Sequence, residues 1–304
     1  MRTLVNVNGR SSSPEEAMVP ALDRGFLFGD SVYEVLWWHH GVLVQAEEHF
    51  ERLRASGRRI YLEVPGDDAS FTRRIEALLA EAGVRSDDDA YVRFIVTRGA
   101  GPLGLAVSVE LQPTFVLIVA DAHRPTPVER ARGLCVRLAD RLRVSKRALD
   151  PAAKTGNYMN NLLALHEARR EGADDAILLN DAGDVTEATT SNVYLVAAGR
   201  IVTPSLDAGI LRGTTRSRVL SLAAANGLEA TERRVSSAEL RRADEIFVSS
   251  SVRGVLPVVR LDGEPVGAGT IGPVTARVID WFEAAADADA RAASGRTPVP
   301  LGAR

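Results

Sequence analysis

A lysine in an unusual local setting is the first residue that could do covalent chemistry. Lys154 lies among alanine, glycine and asparagine residues, between a strand-like segment and the start of a predicted helix. A lysine amine attacks a carbonyl carbon only after it loses its proton, and a desolvated setting favours the neutral amine. Taken alone, a lysine is more often a surface residue. The only other lysine in the chain is Lys146, and this scarcity strengthens the case for each.

Two groups of hydroxyl side chains predict an anion site. In the segment 211–216, Leu-Arg-Gly-Thr-Thr-Arg, Thr214 and Thr215 stand where a helix begins. Free N–H groups and the helix dipole at such a start favour a bound anion such as phosphate. Ordinary N-capping is the alternative for this motif alone. A second run, Ser249–Ser251, follows a predicted buried strand, and the two clusters together favour one shared phosphate.

One carboxylate and one guanidinium complete the polar candidates. Glu187 precedes a run of hydroxyl residues and an apolar strand. If Glu187 is buried, its carboxylate could hold a proton on the pyridine nitrogen of a bound ligand. The alternative is that Glu187 is an exposed glutamate at the end of a hairpin. Arg52 lies in a predicted helix, where the pattern alone indicates a surface arginine paired with Glu48 one turn earlier.

A glycine-rich segment offers a weaker signal. Residues 99–104 match G-x-G-x-x-G and follow a predicted strand. A dinucleotide site needs a helix that starts inside this motif, and Pro102 interrupts it. The segment is therefore predicted to be a flexible loop. The chain has no Walker A, H-E-x-x-H or G-x-S-x-G pattern, so phosphoryl transfer, zinc-dependent hydrolysis and serine hydrolysis lose their usual support.

Composition narrows the class of protein further. A length of 304 residues predicts about two domains, and the net charge of −3 argues against nucleic acid or anionic membrane as a partner. No apolar run approaches the roughly 20 residues that span a bilayer. One cysteine, Cys135, excludes an internal disulfide and a multi-cysteine zinc site, and no metal site is expected. With no signal-peptide pattern at the start, a cytoplasmic location is the expectation.

Hydrophobic periodicity predicts a mixed α/β fold. Strands are predicted at residues 32–38, 42–44, 91–97, 114–120, 176–180, 185–187, 193–196 and 245–248. Helices are predicted at residues 47–60, 71–82, 158–171, 215–226 and 274–282. Prolines place an interdomain linker at 120–127, between a small α/β domain at 1–119 and a second domain at 128–283. Residues 284–304 lack apolar periodicity and are predicted to be a disordered tail.

Taken in order, these motifs resemble those of the fold-type IV, class IV aminotransferases. That family includes branched-chain and D-amino-acid aminotransferases and aminodeoxychorismate lyase. The resemblance runs from about Val19 to Phe282, nearly the whole chain. It rests on six segments in the same order, residues 23–30, 48–53, 154–158, 185–192, 213–216 and 272–275.

The resemblance implies a pyridoxal-phosphate enzyme of two α/β domains with the cofactor between them. It further implies at least a homodimer, in which partner loops complete the pocket. Lys154 would carry the cofactor, and Glu187 would pair with the pyridine nitrogen. Tyr158 would approach the phenolic oxygen, and Leu211 would pack on one face of the ring. The phosphate would be held by Arg52, Thr214, Thr215 and Ser251.

The substrate follows from a second part of the resemblance. The segment Tyr91-Val92-Arg93 is similar to the branched-chain group, in which the tyrosine and arginine recognise a carboxylate. The two residues lie two apart on a predicted strand and so project to the same face. The hypothesis is an apolar L-amino acid as donor and 2-oxoglutarate as acceptor. An apolar wall could come from Phe28, Tyr33 and Leu105. The resemblance implies that the loop with Leu105 would cover the neighbouring subunit's pocket.

Two departures keep other substrates open. Residues 33–37 read Tyr-Glu-Val-Leu-Trp where the branched-chain group tends to have F-E-G-I-R, and residues 187–192 are closer to the D-amino-acid pattern. The S-P-R-x-H segment of the D-amino-acid group is absent. A D-amino-acid or (R)-amine transaminase therefore stays an alternative, as does the lyase. A catalytically inactive binding module is poorly motivated, because Lys154 and Glu187 are both present.

Overall fold

The computed structural model describes residues 1–106 and 110–294, and two β-sheets organise them. Within these residues the first sheet, here the N-terminal sheet, has six antiparallel strands in the order β2-β1-β6-β5-β3-β4. Its strands are β1 (Leu4–Val7), β2 (Arg10–Ser12), β3 (Ser31–His39), β4 (Val42–Leu43), β5 (Asp89–Thr97) and β6 (Thr114–Asp121). Three helices accompany it, α1 (Arg24–Phe28), α2 (Ala46–Arg59) and α3 (Asp68–Glu81).

The second sheet, here the C-terminal sheet, is mixed and partly closed. Within the described part of the chain it has the order β12-β11-β10-β13-β14-β7-β8-β9, with β15 on β14. Because β9 also pairs with β10, six of these strands form a ring. The strands are β7 (Leu134–Leu138), β8 (Asp175–Leu179), β9 (Val185–Ala188), β10 (Asn192–Ala197), β11 (Arg200–Pro204), β12 (Ala230–Arg233), β13 (Glu245–Ser250), β14 (Gly254–Leu261) and β15 (Glu264–Pro265).

The helices of this second half pack against the C-terminal sheet. They are α4 (Pro127–Arg132), α5 (Met159–Arg170), α6 (Thr214–Ala225), α7 (Ser237–Arg241) and α8 (Pro273–Ser294). One hydrophobic cluster takes side chains from all six strands of the ring, and a second lies between the C-terminal sheet, α6 and α8. No helix among the described residues is long and apolar enough to cross a membrane.

Most predicted elements are confirmed to within a few residues at each end. The strands predicted at residues 32–38 and 42–44 are β3 and β4, which pair as an antiparallel hairpin. The connection between the two sheets, from the end of β6 at Asp121 to α4 at Pro127, overlaps the predicted linker. The division into domains at that point stays a prediction.

The predicted disordered tail is wrong for residues 284–294. The last helix does not end at Phe282 but continues as α8 to Ser294, and residues 295–304 lie outside the described part. Alanine is the strongest helix former, so this alanine-rich segment needs few large side chains to be helical. Ala286 and Ala290, one turn apart, are buried on the inner face of the helix. The small size of alanine hid this periodicity in the sequence.

One strand serves both halves of the molecule, because its side chains alternate between two environments. Leu36 on β3 packs into the cluster formed with α2 and α3, whereas Trp37 packs against the C-terminal half. The Trp37 ring stacks on Phe282 of α8 with centroids 6.4 Å apart. The outer face of β3 is therefore the contact surface between the N-terminal sheet and α8.

A histidine at the end of β3 ties this surface to α8. The His39 ring lies 2.8 Å from Asp89 Oδ1 through Nδ1 and 2.8 Å from Asp287 Oδ1 through Nε2. Burial alone would lower the pKa of His39, but the hydrogen bonds to the two carboxylates outweigh it and raise the pKa. The protonated ring can donate to both carboxylates at once, whereas the neutral ring donates to only one.

We expect His39→Gln to lower the free energy of unfolding more at about pH 6 than at about pH 9. The folded-state pKa lies above the unfolded value, so the stabilisation is complete below the unfolded pKa and is lost as the pH rises through the folded pKa. Because both carboxylates are partly exposed, solvent screening limits the loss to the order of 1 kcal/mol. Urea denaturation at both pH values measures this loss of unfolding free energy. The control is His166→Gln, because His166 is exposed. An equal loss at both pH values would contradict the prediction.

Candidate active site

A cavity of about 410 Å³ lies between the two sheets and takes its walls from both halves of the chain. The N-terminal half contributes residues of β3, α2 and β5. The C-terminal half contributes the segment before α5, the end of β9, the start of α6 and the end of β13. This volume is in the range of pockets that hold a cofactor-sized ligand.

Lys154 extends its amine into this cavity from the segment before α5. Its backbone oxygen accepts a hydrogen bond from the Tyr33 N–H at 3.0 Å, and its N–H donates to Ser56 Oγ at 3.0 Å. Its Nζ lies 3.1 Å from Tyr158 Oη and 3.4 Å from Tyr33 Oη. Among the described residues no carboxylate lies within ion-pair distance of Nζ. The amine is thus held by its main chain and left without a counter-ion.

Two phenols surround the lysine amine. The rings of Tyr33 and Tyr158 meet edge to face with centroids 5.5 Å apart, and both line the cavity. Burial alone would raise the pKa of Tyr158, but the charge of Lys154 together with the hydrogen bonds to Tyr33 and Lys154 outweighs it and lowers the pKa. Burial raises the pKa of Tyr33. Tyr158 is therefore the phenol that responds to the charge of the amine.

Glu187 lies on β9 with its carboxylate buried at the cavity wall. Its Oε1 accepts from Arg143 Nε at 3.0 Å and lies 2.9 Å from Arg143 Nη2. Its Oε2 accepts from the backbone N–H of Leu211 at 3.0 Å. These contacts balance the charge of Glu187 and fix its orientation. Arg143 was not predicted as a site residue, because nothing in its sequence neighbourhood distinguishes it from the many other arginines.

The start of α6 forms one end of the cavity. Gly213 is the residue before the helix, and a side chain there would overlap Asn192 Oδ1. Thr214 and Thr215 occupy the first turn, whose N–H groups have no partner inside the helix. Ser251, in the turn after β13, lines the same cavity. Two helices and two strands separate the two hydroxyl clusters along the chain, yet both clusters line this cavity.

Arg52 points from α2 into the same end of the cavity. Its Nε and Nη2 each lie 2.7 Å from one oxygen of Glu34 on β3. Its Nη1 donates to the backbone oxygen of Arg212 at 3.0 Å. This hydrogen bond connects α2 to the segment before α6. The expected surface pairing with Glu48 is wrong. A helical-spacing rule finds only partners on the same helix, whereas Glu34 belongs to a strand.

Glu34 and His49 form a buried pair behind Arg52. The Glu34 carboxylate is fully buried and lies 2.7 Å from His49 Nδ1. Burial alone would raise the pKa of Glu34, but the charges and hydrogen bonds of Arg52 and His49 lower it to about 2. His49 Nε2 lies 3.2 Å from Thr214 Oγ1. Neither residue was predicted from the sequence. The sequence signal that could have identified Glu34 is its charge within an otherwise mostly apolar strand.

Tyr91 and Arg93 line the cavity from β5 on one face of the strand, as their spacing predicted. The Arg93 guanidinium lies 4.0 Å above the centre of the Tyr33 ring. None of the described carboxylates lies within ion-pair distance of it. The cavity therefore contains a guanidinium whose charge is not balanced by a neighbouring carboxylate.

The structure brings together eleven of the thirteen site residues that the sequence predicted. These are Tyr33, Arg52, Tyr91, Arg93, Lys154, Tyr158, Glu187, Leu211, Thr214, Thr215 and Ser251. It does not bring Phe28 or Leu105 to the cavity of their own chain. Leu105 is 78% exposed, and its backbone oxygen accepts from the buried Arg24 at 3.0 Å.

Comparison with known proteins gives consistent results. The model of the family "Amino-transferase class IV" matches residues 31–261. The chain is 32% identical over 279 residues to a putative branched-chain-amino-acid aminotransferase of Methanocaldococcus jannaschii, covering 92% of this chain and 95% of that protein. It is 34% identical over 271 residues to a D-alanine aminotransferase of Bacillus licheniformis, with 89% and 93% covered.

Solved structures show the same relationship. A branched-chain amino acid aminotransferase of T.th., complexed with N-(5′-phosphopyridoxyl)-L-glutamate, matches with a TM-score of 0.86 at 27% identity over 94% of each chain. A branched-chain aminotransferase of Thermoproteus uzoniensis with norvaline matches with a TM-score of 0.85 at 28% identity, covering 93% of this chain and 94% of that one. Given the extent of the family match and of both relatives, the chain belongs to the class IV aminotransferases and is an enzyme that uses pyridoxal 5′-phosphate.

Proposed function

We propose that this transaminase moves the amino group of an apolar, branched-chain type L-amino acid to 2-oxoglutarate, with Lys154 carrying the cofactor. One observation supports this above the others. An amine without a counter-ion, a fixed carboxylate and the open start of a helix all line one cavity, at Lys154, Glu187 and Thr214. These are the groups that pyridoxal phosphate needs for its aldehyde, its ring nitrogen and its phosphate.

The donor set of the cavity fits the cofactor. Its phosphate would be held by the first turn of α6, by Arg52 and by Ser251. Tyr158 would hydrogen-bond the phenolic oxygen, since its own oxygen already lies beside the lysine amine. Glu187, held in place by Arg143, would pair with the pyridine nitrogen, and Leu211 would pack on the ring.

The proposed chemistry uses the chain's own groups as acid, base and anchor. When bound, the cofactor supplies an electron sink for the charge left on the substrate Cα. The Lys154 amine, freed when the substrate amine takes its place, would act as the general base that accepts the Cα proton. Glu187 would hold a proton on the ring nitrogen, and Arg143 would keep the carboxylate in place. The start of α6 would anchor the phosphate at its end of the cavity.

Arg93 and Tyr91 support a carboxylic-acid substrate. The guanidinium of Arg93, which has no carboxylate partner among the described residues, and the phenol of Tyr91 both face the cavity. Both can therefore bind one substrate carboxylate. Val35 and Leu149 add apolar surface for a branched side chain. Trp37, where the branched-chain group tends to have an arginine, is buried against α8 and is not among the residues that line the cavity.

A D-amino-acid donor is the second candidate, and a specific contact favours it. Arg253 lines the cavity and donates to Ser191 Oγ at 2.9 Å and to Thr190 Oγ1 at 3.2 Å. This second guanidinium, beside the loop that resembles the D-amino-acid pattern, could take the substrate carboxylate in place of Arg93. The similarity to a D-alanine aminotransferase agrees with this alternative.

Exposed apolar side chains support a homodimer as part of the proposal. Around α1 and the loop that Arg24 anchors, large apolar residues are open to solvent: Met18, Leu22, Phe26, Leu103 and Leu105. Large apolar side chains exposed in neighbouring segments favour a protein contact. A second copy docked here would cover them and bring Leu105 close to the neighbouring pocket, as the family resemblance implies.

We expect borohydride reduction of the purified holoenzyme to fix one pyridoxyl group per chain on Lys154. The reason is that its amine faces the cavity, whereas the exposed amine of Lys146 does not. Peptide mapping by mass spectrometry locates the label, and Lys146 is the internal control. Lys154→Ala should lose the label and lower turnover by more than about a hundredfold. A label on Lys146, or none, would refute the assignment.

Glu187→Gln should retain the cofactor and slow Cα proton removal by roughly a hundredfold, because a neutral amide no longer stabilises a proton on the ring nitrogen. Stopped-flow absorbance of the half-reaction, with Cα-deuterated substrate, measures the step. The matched control is Glu167→Gln, which removes a carboxylate paired with Arg141 on the surface. Near-normal proton removal in Glu187→Gln would exclude the proposed role.

Initial rates of transamination with different amino donors distinguish the candidate substrates. With 2-oxoglutarate as acceptor we expect L-leucine to be turned over, and D-alanine and (R)-1-phenylethylamine to be poor donors. Arg93→Gln should raise the KM for 2-oxoglutarate by about tenfold or more, as expected for loss of a charge-assisted contact. Turnover of D-alanine or the amine with L-leucine inert would favour the second candidate. Formation of 4-aminobenzoate from aminodeoxychorismate without transamination would favour the lyase.

A further inference from the structure

A chain of three buried groups connects the N-terminal sheet to the start of α6. Glu34 Oε2 lies 2.7 Å from His49 Nδ1, and His49 Nε2 lies 3.2 Å from Thr214 Oγ1. All three side chains are buried. Their hydrogen bonds join a carboxylate at one end to a hydroxyl of the proposed phosphate site at the other. The protons along this chain can be placed by elimination.

The carboxylate fixes the first proton. With a pKa of about 2, Glu34 is ionised at neutral pH and can only accept. The hydrogen between the two residues therefore belongs to His49 Nδ1. In a neutral imidazole the other nitrogen, Nε2, is then bare and accepts. Its partner, Thr214 Oγ1, must donate, so the hydroxyl hydrogen points at His49 and away from the cavity.

This arrangement is unsuited to a phosphate. The oxygens of a phosphate dianion only accept hydrogen bonds, and Thr214 would present lone pairs to them. One proton added to His49 reverses the direction of the hydrogen bond. Nε2–H would then donate to Thr214 Oγ1, and the hydroxyl hydrogen would be free to donate to the phosphate.

Charges around the imidazole decide when it takes this proton. The groups that face His49 are Glu34 on β3, Arg52 on its own helix, Lys154 before α5 and Thr214 on α6. Burial lowers the pKa of His49, Glu34 opposes this, and the charges of Arg52 and Lys154 lower it further, so the net pKa lies below the usual value. A phosphate dianion at α6 would add negative charge on the Nε2 side and favour the protonated ring.

We propose that His49 takes up one proton from solvent when the phosphate of the cofactor binds, and thereby turns Thr214 from a hydrogen-bond acceptor toward the phosphate into a donor. The proposal rests on the proposed function, because it takes the start of α6 as the phosphate site. His49 is in this view a positioning residue that acts through Thr214. No bond other than N–H forms, and the proton comes from water or buffer.

Calorimetry on the full-length protein freed of cofactor tests proton uptake. The probe is 4′-deoxypyridoxine 5′-phosphate, which has the ring and phosphate but neither aldehyde nor amine to react with Lys154. Titrations at about pH 8 in two buffers of different ionisation enthalpy give the number of protons taken up. We expect wild type to take up about one proton more than His49→Asn. The control His39→Asn removes a buried histidine outside the cavity and should match wild type.

Two measurements on wild type keep the test independent of the variant's folding. The dissociation constant of the probe should rise by up to tenfold per pH unit between the free and bound pKa values of His49. The ³¹P chemical shift of the bound probe should remain that of a dianion across this range. A bound monoanion would place the proton on the phosphate instead and would overturn the proposal, as would equal uptake in His49→Asn and wild type.

Failure of the proposed function would look different. If the probe bound no better than 4′-deoxypyridoxine without its phosphate, the start of α6 would not be the phosphate site, and the proposal would fall with it. If the probe bound tightly through its phosphate but without proton uptake by His49, the phosphate site would stand and only the role of His49 would be refuted.

Discussion

A buried carboxylate in the N-terminal sheet constrains how the two halves of this enzyme meet. Glu34 is fully buried, and an ion in that position is tolerated only when its oxygens are fully partnered. Its partners are Arg52 and His49, both on α2. Each of them also contacts the segment at the start of α6. The cost of burying one charge is therefore offset by contacts that also fix the position of α6 relative to the sheet. The same contacts place Arg52 and Thr214 at one end of the cavity.

The sequence predicted the parts of the site that lie in local motifs. Lys154, Glu187 and the threonines at α6 each stand at an element boundary with a recognisable composition, and all line the cavity. The partners of these residues were not predictable in the same way. Arg143 and Glu34 reach their partners across 44 and 18 residues of sequence, and no local spacing rule joins them. The α8 extension was missed for a different reason, since alanine gives helical propensity without a hydrophobic pattern.

The outer face of β3 and β5 both lines the cavity and contacts α8. At one end of this face, Tyr33 and Arg93 line the cavity. At the other end, Trp37 and His39 contact α8. Because both ends belong to the same two strands, a shift of α8 along the face would also move the residues proposed to bind substrate. The stability of the contact between the halves and the shape of the cavity are thus mechanically linked.

The anchor of the loop at 104–105 has a consequence for how the surface of this loop can change over evolution. Arg24, itself held by Asp30, donates to the backbone oxygens of Gly104 and Leu105. Every amino acid carries such an oxygen, so the anchor is indifferent to the side chain at either position. Substitutions there alter the surface that the loop presents and leave the path of the main chain unchanged. Related enzymes could therefore differ in the side chains of this loop while they retain one common scaffold.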